Sequence, residues 1–330
     1  MRMKGKDRAW LMAIVVGVIL PGFVFSVAEK LYADKHTEDG VLSTQVSEPE
    51  QSGAVTAHMD SVLVLQENGT VEKMEMDTYL TGVLLGEMPA DFDEETLKAQ
   101  AVVARTYAQK RMQTGNKHIQ GAVCTVASCC QAYCAPEDYL QKGGRQKTVE
   151  KFQKAVSCTT GLVLTYQGKL IEATYFSCSG GKTEDALAVW GTQIPYLHSV
   201  DSPGEENAAH YQDHIQFTAA EFASRLGIRP KGPSASWFGS VTHTPGGGVD
   251  TIVIAGEVFR GVDLRQKLGL YSTAFSIVPA GNTVHIYTKG FGHRVGMSQY
   301  GAEAMAVSGS KYSQILSHYY PGTELGSYLD

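Results

Sequence analysis

"DTYLTGVLLGEMPADFDEETLKAQAVVARTYAQKRMQTG", residues 77–115, reads as two helices that meet at a proline. Asp77 is expected to cap a short helix running through Leu85, and Pro89 disfavours a helical residue before it, so that helix ends near Met88. Asp93 caps a second, longer helix. Glu94 and Glu95 suit the positive end of its dipole, and Gly115 stops it. Leu97, Ala101, Ala104 and Ala108 fall on one face at helical spacing, and small residues there require a neighbour packed close.

Working outward, "SVLVLQENGTVEKMEM" (61–76) places Asn-Gly between two strand-like runs, a hairpin signal. "VSCTTGLVLTYQGKLIEATYF" (156–176) predicts two strands about a turn at "QGK". Residues 218–228 predict a helix, 249–279 are β-rich, and "GFGHRVGMSQYGAEAMAVSGSKYSQILSHYYPGTEL" (290–325) is a glycine-rich loop followed by two short helices. Residues 116–150 lack a clear period. Strands and helices do not alternate as βαβ units, so the class is α+β. The expectation is one domain over 61–330, with two lobes around a groove as a further option.

The chain has 330 residues, 43% hydrophobic and 19% charged, with net charge −6. That composition predicts a globule and does not suggest a nucleic-acid partner. Residues 1–8 form a basic leader, expected in the cytoplasm, and residues 9–28 carry no charge over a length that spans a bilayer. Ser26-Val27-Ala28 also suits signal peptidase, so cleavage is the competing reading of what is otherwise a transmembrane signal anchor. Residues 29–60 are polar and read as a flexible linker. Either way the working domain is exported.

Three segments offer chemistry. Glu87 ends an apolar helix, where partial desolvation raises a carboxyl toward the range useful to a general acid. A helix-end glutamate facing solvent is the plainer reading. In "GFGHRVGMSQYGA" (290–302), glycines free the backbone for close approach to a ligand, and His293, Ser298 and Gln299 bring donors and acceptors. In "YFSCSGGKTED" (175–185), Ser177, Ser179, Gly180 and Gly181 form a polar loop suited to lining a groove. Neither segment fits a nucleotide loop or a serine-hydrolase elbow.

Together these segments resemble the stage II sporulation protein D family over roughly residues 60–328. The resemblance implies a membrane-anchored lytic transglycosylase that cuts MurNAc-GlcNAc bonds of denuded peptidoglycan strands during forespore engulfment, forming 1,6-anhydroMurNAc ends. It places the domain outside the mother-cell engulfing membrane, facing the forespore, with stage II sporulation proteins P (an amidase) and M as partners. Residue by residue, it makes Glu87 the catalytic acid/base and Arg105, Ser179, Gly180, His293, Ser298 and Gln299 its support, with Ser177 beside them. Arg294 departs from the family, whose members usually carry glycine there. Two alternatives stand: a hydrolase with a second carboxylate such as Glu172, Asp185 or Asp201, and a relative that binds peptidoglycan without cutting it.

"CTVASCCQAYC" (124–134) holds four of the six cysteines. Export permits disulfides, whereas thiolates plus an imidazole suit tetrahedral zinc. Some relatives bind zinc in this segment through two cysteines and two histidines. By that resemblance His118, Cys124 and Cys130 are ligands to a structural Zn2+. Cys129 stands where histidine is expected, and Cys134 is the spare. Cys158 and Cys178 lie ten residues either side of Gly168, and form either a cross-hairpin disulfide or two buried thiols.

Overall fold

The computed structural model describes residues 61–115 and 117–327. The basic leader, the expected span at 9–28 and the expected linker lie outside them. Among the described residues no helix is long and apolar enough to cross a membrane.

The Asn-Gly turn joins β1 (Ser61–Leu65) to β2 (Val71–Glu75) as an antiparallel hairpin. α1 (Met76–Glu87) follows directly, and α2 (Glu94–Thr114) begins after the proline. Asp93 caps α2 by accepting the Glu95 N–H at 2.8 Å, and Gly115 ends it at φ 61°. Asp77 corrects its expected part. It sits inside the first turn of α1, and its carboxylate accepts from Arg105 at 3.2 Å.

α2 is buried on two faces. Leu97, Ala101, Ala104 and Ala108 join a first core with Leu80, Leu84 and Phe152. Ala99, Val102 and Val103 face a second core with Leu164, Ile315 and Tyr319. The small side chains let neighbours close in on both sides, so packing supplies the stability of this helix.

β3 (Val123–Cys124) pairs parallel to β1. α3 (Pro136–Gln141) and α4 (Gln146–Ser157) come next. α4 was hidden in a polar stretch, because only Val149, Phe152 and Val156 with Ala155 mark its buried stripe. β4 (Leu162–Tyr166) and β5 (Lys169–Leu170) make the expected hairpin, but pairing stops at Thr165–Leu170. Cys158 is the exposed C-cap of α4, and Cys178 is buried in a bridge to Phe291. The Cys158–Cys178 disulfide is therefore absent, and all six cysteines are free thiols. The second arm leaves the ladder too early to bring the two together.

β6 (Tyr175–Phe176), β7 (Gly181–Lys182), α5 (Ala186–Trp190) and β8 (Asp201–Ser202) follow. β9 (Gln212–Thr218) leads into α6 (Ala219–Leu226) through a capping box between Thr218 and Glu221. β10 (Phe238–His243), β11 (Val249–Ile254) and β12 (Glu257–Arg260) form one antiparallel sheet. α7 (Gly261–Leu268) interrupts the stretch expected to be β-rich. β13 (Phe275–Ala280) and β14 (Thr283–Lys289) complete a second sheet with β9. These elements enclose a third core of Phe217, Phe222, Ile252, Leu264 and Ile286. β15 (Met297–Ser298) pairs parallel to β6 and runs into α8 (Gln299–Val307) and α9 (Tyr312–Tyr319). The architecture is α+β, as the element order predicted.

Candidate active site

Glu87 is the last residue of α1, and the chain segment 131–134 crosses over that end. Gly86 permits the crossing, since a Cβ there would lie 2.8 Å from the Ala132 carbonyl carbon. The Cys134 N–H donates to the Gly82 carbonyl at 2.9 Å, pinning the segment one turn back. In this register the Ala132 N–H donates to Glu87 Oε1 at 2.6 Å.

A second donor reaches the same oxygen. The Tyr175 hydroxyl, carried on β6, donates to Oε1 at 3.1 Å. Gln131 Nε2 donates to that hydroxyl at 3.3 Å, and the Tyr79 hydroxyl donates to Gln131 Oε1 at 3.1 Å. Both donors converge on Oε1, which leaves Oε2 as the oxygen to carry a proton. Burial raises the Glu87 pKa above the ordinary carboxylate range, opposed by the Ala132 amide, the Tyr175 hydroxyl and the Gln299 amide. Part of the Glu87 surface still meets solvent, so the acid is accessible as well as desolvated. Gln299, at the start of α8, has its amide buried beside the same carboxyl.

The other expected residues divide. Arg105 does not touch Glu87. Its guanidinium is 2% exposed and donates to Asp77, to the Thr159 carbonyl at 2.6 Å and to the Leu162 carbonyl at 3.2 Å. It ties the far end of α1 to the turn after α4. Ser179 is fully buried, and its N–H, its hydroxyl and the Gly180 N–H all donate to Glu205 Oε2. That loop is held by an internal carboxylate, which corrects its reading as a groove lining. The Ser177 carbonyl accepts the Tyr300 N–H, and the Ser298 hydroxyl caps α8 by accepting the Gly301 N–H. The glycine-rich loop packs on the protein itself: Gly296, at φ 86°, would place a Cβ 2.1 Å from the Thr174 carbonyl oxygen.

His293 packs edge-on against Phe176, with ring centroids 5.7 Å apart, and its Nδ1 accepts the Val295 N–H. Burial and the Arg265 charge push its pKa down to about 3, so it is neutral at physiological pH. Arg294 follows at φ 66°, bonded to the carbonyls of Ser179, Lys182 and Gly246 and to Glu184.

Carboxylates considered as a second catalytic group are engaged elsewhere. Glu172 pairs with Arg111 at 2.5 Å, and Asp185 accepts the Ser199 N–H at 2.6 Å. Asp201 is exposed on β8, paired with Lys182 of β7. Among the described residues, no carboxylate figures among the groups that shift Glu87. Tyr175, Gln131 and Ala132 escaped the sequence reading, because their partnership with Glu87 spans tens of residues and leaves no periodic mark.

His118, Cys124, Cys129 and Cys130 bring their ligand atoms within 4.8 Å of one another. His118 Nε2 lies 3.3 Å from Cys129 Sγ and 3.4 Å from Cys130 Sγ. Zn–S bonds of ~2.3 Å and Zn–N bonds of ~2.0 Å put tetrahedral ligands roughly 3.5–3.8 Å apart, so the donor set fits a closed tetrahedral ion. Hydrogen bonds among the three thiols hold Cys130 below the ordinary thiol range and push Cys129 above it. Cys134 lies outside the group, its Sγ directed to the Ala135 carbonyl. The cluster ends two residues before Ala132.

Residues 65–166 match the family described as SpoIID, stage II sporulation protein. The chain is 39% identical over 302 residues to stage II sporulation protein D of Bacillus subtilis (strain 168), covering 89% of this chain and 86% of that protein. It is 40% identical over 263 residues to the protein of the same name from Bacillus amyloliquefaciens, covering 78% and 76%. A more distant relative is the amidase enhancer of Bacillus subtilis (strain 168), 29% identical over 309 residues, which are 76% of this chain and 40% of that protein. At that identity and coverage, the chain belongs to the stage II sporulation protein D family.

Proposed function

We propose that this protein is a peptidoglycan lytic transglycosylase in which Glu87 is both acid and base. The observation that carries this reading is a single accessible carboxyl whose two donors both bind Oε1, leaving Oε2 for the proton. The Oε2 proton passes to the glycosidic oxygen as the C1–O bond of the muramic acid breaks. The 6-hydroxyl oxygen of the same sugar then bonds to C1, and its proton returns to Glu87. No water is consumed, and the product ends in a 1,6-anhydro sugar. A hydrolase would need a second carboxylate to activate water. The Gln299 amide beside the carboxyl can also donate to a substrate oxygen as charge develops.

On the same reading a zinc ion is held by His118, Cys124, Cys129 and Cys130. With four protein ligands its work is structural, fixing the segment that delivers the Ala132 amide. The names of the relatives support a role in sporulation, and that of the amidase enhancer supports work beside a wall amidase. We extend this to engulfment, with stage II sporulation proteins P and M as partners and the domain tethered outside the membrane by residues 9–28.

The test is digestion of peptide-free glycan strands by the full-length chain, wild type beside Glu87→Gln, with product masses recorded. Anhydro ends lost in the variant are the expected result. Reducing ends would mean hydrolysis, cleavage unchanged by Glu87→Gln would remove Glu87 as the acid, and binding without cleavage by the wild type would leave only a binding role.

A further inference from the structure

Trp190 closes α5, is 41% exposed, and has no role in the three cores. An indole that large is costly to leave in water unless something covers it. Leu187, one helical turn earlier, is 54% exposed. The helix that presents them is firmly held. The Ala186 N–H donates to the Leu197 carbonyl at 2.9 Å, and Asp185 accepts from Ser199.

The indole is seated on His293, with ring centroids 5.5 Å apart and planes at 58°. His293 in turn packs on Phe176, the neighbour of Tyr175 on β6. The phenol that holds Glu87 and the ring that supports this platform are thus successive residues of one strand, turned to opposite faces. His293 is neutral, so it gives the indole an aromatic neighbour and no charge.

Resting on the glycan-cutting reading above, we propose that Trp190, held against His293, is a stacking platform for one pyranose ring of the glycan strand that is cut at Glu87. The C–H face of a pyranose is apolar while its edge carries hydroxyls and N-acetyl groups. It thus suits a rigid, exposed indole held in place by a neighbouring ring. The platform binds ground state and transition state alike, so its loss acts on KM and leaves kcat close to wild type.

The experiment titrates the full-length chain into a fluorescently labelled, peptide-free glycan strand, reading anisotropy in the non-cutting Glu87→Gln background. Trp190→Ala is expected to weaken binding roughly three- to tenfold, and Trp190→Phe to retain most of it. In the cutting enzyme, Trp190→Ala should raise KM by the same factor at nearly constant kcat. Wild-type affinity in Trp190→Ala, with cutting intact, overturns the platform and leaves the catalytic reading standing. A chain that neither binds nor cuts these strands overturns both. Because the side chain is exposed, an unchanged melting temperature shows that the substitution acts on binding alone.

Discussion

Glu87 combines burial, which raises its pKa, with two hydrogen bonds that confine its proton to one oxygen. Replacing it with glutamine should lower kcat by at least ~10²-fold, the usual share of a general acid–base group. The same substitution should show a stability signature. A carboxyl whose folded pKa is raised stabilises the fold below the ordinary carboxyl range, and loses that contribution as pH rises through the raised value. Glu87→Gln should therefore melt above wild type at pH 8, with the gap closing by pH 4. Activity of the wild type should fall on the alkaline side, as the acid form is lost. Tyr175→Phe removes a donor that lowers the Glu87 pKa, so the alkaline limb of its kcat/KM profile should move to higher pH. A limb that stays in place would show that the phenol does not act on the carboxyl.

At the scale of elements, the His-Cys cluster proposed to hold zinc and Glu87 are one unit, joined by the three residues Cys130, Gln131 and Ala132. Chelation or Cys130→Ser should lower the melting temperature by several degrees and speed amide exchange at Ala132. Zinc content measured on the purified protein fixes the stoichiometry, expected to be one. Gly86→Ala tests the same contact from the helix side. Its Cβ would meet backbone atoms of Ala132 and Tyr133, which cannot rotate away, so a cost of about 1–3 kcal/mol and loss of cleavage are expected with zinc still bound. Much of this was legible in the sequence. Asp93, Gly115 and the Leu97–Ala108 stripe announce α2, and His118 with the cysteines announces the clip. Arg105, Ser179 and Gly180 were misplaced because a polar residue in a shared motif reads the same whether it meets substrate or an internal partner. Only the contacts to Asp77 and Glu205 tell these apart.

Across the whole molecule, the third core was the least legible part, since α7 interrupts its strands and no spacing in the sequence says what it leans on. Arg294 supplies the answer. Its Nε bonds the Ser179 carbonyl at 2.7 Å and its two Nη atoms reach Glu184, the Lys182 carbonyl and the Gly246 carbonyl. Gly246 lies in the turn between β10 and β11, and Glu184 Oε1 also accepts the Gly248 N–H at 2.9 Å. The pair thus fastens the sheets of the third core to the loop at 179–184, and these bonds hold an arginine at φ 66°. Removing one partner of a buried ion pair strands the other charge, at about 3–5 kcal/mol. Arg294→Met should therefore unfold in two calorimetric steps, the third core first. Adding Glu184→Gln should recover part of the loss, because the stranded carboxylate is gone. A single transition at the wild-type midpoint would show that the third core is fastened by packing instead.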